Sequence, residues 1–141
     1  MIKSYILTGT AGAGKTSLIR YLETRGHFVV EEAATDIISL EQALGVAEPW
    51  TKPAFIDQIV TLQKQRQIHA GAVHAELQFF DRSPLDAYAL SVYLKFPPSP
   101  LLLEEIERME SEQIYQKKVF FIQNLGFCQP TEARKISFEE S

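Results

Sequence analysis

"YILTGTAGAGKTSLIRYLETRG", residues 5–26, is the stretch whose reading decides the fold. It passes from an apolar run over 5–8, a predicted strand, through a glycine-rich turn into a helical pattern with Leu18, Ile19 and Leu22 on one face. The helix is predicted from Lys15 to about Arg25, with Gly26 placed to end it. Inside the turn, "GTAGAGKT" fits G-x-x-x-x-G-K-[ST], with Gly9, Gly14, Lys15 and Thr16 at the defining positions. Glycines let the backbone curl so that successive N–H groups face phosphate oxygens, and the helix start adds its partial positive charge. A phosphate cradle is therefore expected over Gly9, Thr10, Ala11, Gly12, Ala13, Gly14, Lys15, Thr16 and Ser17. Lys15 is expected to bridge the β- and γ-phosphates, and the Thr16 hydroxyl to ligate Mg²⁺.

The rest of the chain bounds what such a cradle can serve. With 141 residues and 45% hydrophobic content, one domain with a real core is expected. Fourteen basic against 18 acidic residues give a formal net charge of −4, which argues against a general nucleic-acid or membrane-surface binder. The single cysteine, Cys128, excludes an internal disulfide framework and reads as a free thiol. With no signal-peptide pattern and no apolar run near the length of a membrane span, a cytoplasmic location is expected. His27, His69 and His74 lack metal-ligand spacing and read as surface or structural residues.

Strands and helices alternate along the sequence. "HFVVE" at 27–31 reads as a second strand, 33–44 as a helix with Ile37, Ile38 and Leu40 among its apolar positions, and "GVAEPWTKP" as a loop. A helix is predicted from 54 to about 75 on the spacing of Phe55, Ile59 and Leu62, then a third strand at "LQFFD", 77–81. "SPLDAYALSVYL" makes a helix capped by Ser83 with Pro84 in its first turn; "FPPSP" interrupts, "LLLEEIERMESEQIYQ" is helical, and "KVFFIQ" is a fourth strand. This order favours an α/β fold, a parallel sheet covered by helices on both faces, with any ligand at the carboxyl ends of the strands. Ser137 and Glu140 have capping-box spacing without a helix to follow, so a longer parent protein with a further strand and helix is expected.

What separates an enzyme from a switch must come from outside the cradle. Neither N-K-x-D nor D-x-x-G, the marks of a Ras-type GTP switch, occurs. Instead the third strand runs into "FFDRSPLD", where Asp81 is placed to hold the Mg²⁺ shell as a Walker-B-type carboxylate. Arg82 beside it can clamp a phosphate or a sugar hydroxyl with its planar fork; a surface ion pair at a strand end is the other reading of the two residues. Phe55, Gln58, Leu62, Gln65 and Arg66 recur at helical spacing, a face that would suit a heterocycle or serve as an ordinary amphipathic surface. Trp50 reads as a packing anchor.

The order "ILTGTAGAGKTSLI", "VVEEAATDII", "PWTKPAFIDQIVTLQKQRQ", "FFDRSPLDAYAL", "VFFIQ" resembles the NadR-like P-loop ATPases of the AAA-type ATP-binding group, relatives of nicotinamide riboside, deoxynucleoside and thymidylate kinases. The resemblance covers nearly the whole chain and implies a P-loop α/β/α fold with strand order 2-3-1-4-5, the fifth strand lying beyond Ser141. It implies ATP and Mg²⁺ as ligands, and a single domain in which about 45–76 covers a small-molecule acceptor and about 126–137 forms a lid. Glu32 falls on the acidic position that meets the acceptor hydroxyl, with Glu31 as the neighbouring alternative. Phe55, Gln58, Gln65, Arg66 and Arg82 fall where acceptor contacts are expected, and Arg134 matches the lid arginine, with Lys135 as second choice. Relatives often carry E-A-A-R where this chain has Thr35, which removes one expected cation. The implied activity is phosphoryl transfer from ATP to a nucleoside- or nucleotide-like acceptor. An ATPase or nucleotide-dependent regulator, or a binding module without turnover, fits the same motifs, and the oligomeric state is not legible.

Overall fold

The computed structural model describes residues 2–9, 14–73 and 75–122. Its elements follow in the order β1 (Lys3–Gly9), α1 (Lys15–Thr24), β2 (Phe28–Val30), α2 (Ala33–Ala43), a 3-10 turn (Pro49–Thr51), α3 (Ala54–Gly71), β3 (Leu77–Asp81), α4 (Pro84–Tyr93), α5 (Pro100–Ser111) and β4 (Val119–Ile122). The chain divides into two compact units. One takes in the chain up to Glu31, the stretch ending at Arg82, and the chain from Tyr115 on; the other comprises Glu32–Val73 and Ser83–Ile114.

The first unit is built on a parallel sheet ordered β2-β3-β1-β4 among the described residues, the order expected from the sequence. A central β1 needs apolar side chains on both faces, and its Ile6 and Leu7 are buried, as are Phe80 of β3 and Ile19 of α1. Aromatic residues fix the register: Tyr5 stacks on Phe79 with centroids 5.9 Å apart and meets Phe120 at 5.6 Å. His27 sets its edge against Phe79, a structural role in line with its reading from sequence. Because all four strands run the same way, Gly9, Val30, Asp81 and Ile122 end them at one edge of the sheet.

The second unit packs α2, α3, α4 and α5 around Ala33, Ile37, Phe55, Ile56, Ile59, Val60, Ala87 and Leu102, with Trp50 against this core. Polar groups pin α5 to α3: Ser99 donates to Asp57 at 2.5 Å, and Arg108 donates to Gln67 and pairs with the buried carboxylate of Glu105 at 2.8 Å. Ser83 caps α4 as expected, accepting from the N–H of Leu85 while Asp86 accepts from the N–H of Ser83, and Pro84 fills the first turn.

Two local expectations are corrected. The helix predicted to about residue 75 ends at Gly71, and the one predicted over 101–116 ends at Ser111, where Gln113 turns left-handed with φ 49°. On α2 the buried residues are Ala33 and Ile37, while Leu40 is 54% exposed.

Candidate functional site

The site grows from the junction of β1, α1 and β3 in the first unit. Gly9 closes β1 with φ 145°, and a Cβ there would lie 2.3 Å from the carbonyl oxygen of Ile122. Only glycine lets β4 approach this closely. Gly14, left-handed at φ 94°, is the N-cap of α1, and Lys15 is the first residue of that helix. Thr10, Ala11, Gly12 and Ala13, expected to complete the cradle, lie outside the described residues, as do His74, Cys128, Arg134, Lys135, the capping pair Ser137 and Glu140, and the whole lid-like segment 126–137.

The Nζ of Lys15 lies 2.5 Å from Oδ1 of Asp81, with both side chains buried at 7% and 9% exposure. The sequence positions are 66 residues apart and meet because β3 lies beside β1. Arg82, one residue on, adopts φ 75°, a left-handed conformation that side chains resist. Its N–H donates to the carbonyl of Leu7 at 2.8 Å and its Nη2 to the carbonyl of Gly9 at 3.1 Å. Thr16 and Ser17 are exposed on the first turn of α1.

The two acidic residues after β2 differ in their partners. The Glu31 carboxylate pairs with Arg20, and its hydrogen bond and charge raise the Arg20 guanidinium above its ordinary value. In the second unit, Glu32 is the N-cap of α2 and its Oε1 accepts from the Thr35 hydroxyl at 3.2 Å. Arg66 reaches α2 from α3, donating to the Glu32 carbonyl at 3.3 Å and to Asp36 at 2.6 Å. Arg66 thus brings a cation from α3 to the first turn of α2, an arrangement that spacing along the sequence did not signal. Gln58 donates to Glu41 at 3.0 Å, Gln65 is exposed, and Phe55 is 2% exposed in the helical core.

A carboxylate and a hydroxyl are hard oxygen donors of the kind Mg²⁺ takes, so Asp81 and Thr16 fit such an ion chemically. No group of three or more His, Cys, Asp or Glu suited to a metal occurs among the described residues. No described helix is long and apolar enough to cross a membrane.

Comparison with known proteins agrees with this geometry. A search of curated proteins finds no match to the chain. The sequence model of a family described as AAA domain matches residues 4–141, nearly the whole chain. A left-handed glycine at the N-cap of a helix, followed by a lysine against a strand-end carboxylate, fits the P-loop that such a match implies. The chain belongs to the AAA domain family and is a nucleotide-binding P-loop protein of α/β fold.

Proposed function

We propose that the chain is a Mg²⁺-dependent phosphotransferase that carries the γ-phosphoryl group of ATP to a hydroxyl or phosphate of a small nucleoside-like acceptor. The observation that carries this reading is the 2.5 Å approach of Lys15 to Asp81 at the mouth of the cradle. It brings together the two groups that phosphoryl transfer needs beside the triphosphate, a cation for the phosphate oxygens and a carboxylate for the metal shell.

In this reading the loop from Gly9 to Ser17 binds the triphosphate, and Lys15 neutralises charge on the β- and γ-oxygens. Thr16 and Asp81 would hold Mg²⁺, which when bound draws charge from the phosphate oxygens. Arg82, at the carboxyl end of β3, keeps the start of the loop in place through Gly9 and adds positive potential there. Glu32 orients the acceptor hydroxyl, supported by its place two residues after β2 and by the Thr35 hydroxyl that fixes its carboxylate. Arg134 would cover the transferring group from the lid segment, and residues 45–76 would cover the acceptor within one functional domain.

A second reading, an ATPase or nucleotide-dependent regulator without a small-molecule acceptor, is favoured by the state of the expected acceptor contacts. Phe55 is spent in the core, Gln58 on Glu41, and Arg66 on Glu32 and Asp36. The two readings part on one experiment: incubation with ATP, MgCl₂ and a panel of nucleosides and nucleoside monophosphates. Acceptor-dependent formation of ADP is expected; ADP formation that no acceptor accelerates would replace the kinase reading with the second one.

A further inference from the structure

The helix α4 is apolar on both sides. Ala87 and Leu90 pack into the core of the helical unit, and the buried Ser91 donates to the carbonyl of Phe96 at 2.8 Å. On the other side every exposed residue of the helix is apolar: Leu85 (47%), Tyr88 (39%), Ala89 and Val92 (57%). Their spacing puts them in one stripe about 100° wide. The exposed sides of α1, α3 and α5 carry charges instead, among them Arg20, Lys64 and Glu107. The one charged residue of α4, Asp86, is turned to the cap, where it accepts from the N–H of Ser83. A helix that is apolar all round belongs in an interior, so the outer stripe calls for a cover.

We propose that the cover is α4 of a second copy of this chain, packed antiparallel about a two-fold axis that passes between Tyr88 and Ala89. Reversal about that point returns the stripe to itself, with Leu85 of one copy opposite Val92 of the other and Tyr88 opposite Ala89. Each larger side chain then meets a smaller one, as interdigitating layers need, and Ala89 leaves room for the phenol ring. A contact between identical faces must also not repel itself, and this stripe holds no charge. Its three large side chains leave on the order of 300 Å² of apolar surface in water, the size of a functional patch on a monomer. A standard interface takes about 800 Å² per partner, so the stripe forms the centre of a small contact, and a dimer that dissociates in the micromolar range is expected. The proposal involves the helical unit alone and is independent of the nucleotide site and of any acceptor.

Analytical ultracentrifugation of the full chain from about 1 to 300 μM reads the association. Wild type is expected to pass from monomer to dimer across this range. Val92→Glu, with Leu85→Glu in parallel, is expected to raise the dissociation constant at least about tenfold, and the variant that keeps cooperative melting is scored. Exchanging sizes reads the pairing. Ala89→Tyr alone sets ring against ring and Tyr88→Ala alone leaves a gap, so each is expected to weaken the dimer. Both changes in one chain restore the match and are expected to return the affinity to within a few-fold of wild type. A wild type that stays monomeric throughout the range would overturn the proposal and leave the stripe to a different partner. A dimer indifferent to the glutamates would overturn it by placing the contact elsewhere, and a double variant no tighter than the single ones would overturn the antiparallel pairing.

Discussion

The guanidinium of Arg82 donates to the carbonyl oxygen of Gly9 across 3.1 Å, so a side chain at the end of β3 holds the first glycine of the P-loop motif. The backbone of Arg82 is left-handed, with φ 75°, so two effects oppose at one residue. The charged hydrogen bond stabilises by about 2 kcal/mol, and the conformation costs about 1 kcal/mol that glycine would not incur. Arg82→Ala is expected to lose the first and keep the second, whereas Arg82→Gly loses the first and is relieved of part of the second. Urea denaturation should rank wild type above Gly and Gly above Ala; an Ala variant as stable as the Gly variant would remove the strain from this account.

Gly9 is constrained by the sheet as well as by the loop. A methyl group at this position would lie 2.3 Å from the Ile122 carbonyl oxygen, in a backbone conformation that alanine rarely adopts. Gly9→Ala is expected to cost about 3–5 kcal/mol, through overpacking and strain together. Amide hydrogen exchange should locate the damage in β4, whose pairing with β1 ends at Gly9. Unchanged protection over Val119–Ile122 would contradict this.

Glu32→Gln keeps the size of the side chain and its ability to accept from Thr35, and removes the charge. If Glu32 orients or deprotonates an acceptor, turnover should fall by about 10²–10⁴-fold while ATP affinity stays within a few-fold of wild type. Steady-state kinetics beside ATP titration reads both; full turnover would move the role to Glu31 or elsewhere.

The ion pair of Glu105 and Arg108 lies within the helical unit, with the carboxylate 5% exposed and the guanidinium shared with Gln67. Arg108→Ala leaves that carboxylate buried without its cation and is expected to destabilise by about 3 kcal/mol. Glu105→Gln, which removes the charge but keeps a hydrogen-bonding partner for Arg108, should cost clearly less in urea denaturation. Equal losses would show that shape, not charge, governs this contact.

The strands and the start of α1 were legible because their signals are local. "LQFFD" is β3 to the residue, and the glycine spacing of the loop is self-contained. Helix ends were legible where glycine marks them: Gly26 and Gly45 follow α1 and α2 with φ 87° and 99°, and their N–H groups bond back to Glu23 and Gln42. Where other residues take that conformation the cue is missing, and α5 was read five residues too long past Gln113. The Lys15–Asp81 contact could be expected from strand order, whereas Arg82 bonding to Gly9 and Arg66 reaching α2 depend on side-chain directions that no spacing encodes. Phe55 shows the reverse case, since helical periodicity alone does not say whether an aromatic ring faces a ligand or a core.

Two of those unmarked helix ends open a route to engineering. Lys95, after α4, and Gln113, after α5, hold left-handed backbones at φ 64° and 49°, each with the closing hydrogen bonds that glycine usually accompanies. Relief of the side-chain clash exceeds the added freedom of an unfolded glycine by a fraction of a kcal/mol to about 1 kcal/mol per site. Lys95→Gly and Gln113→Gly together should therefore raise the melting temperature by a few degrees, read by calorimetry, and give a sturdier chain in which the costlier substitution at Gly9 can be measured.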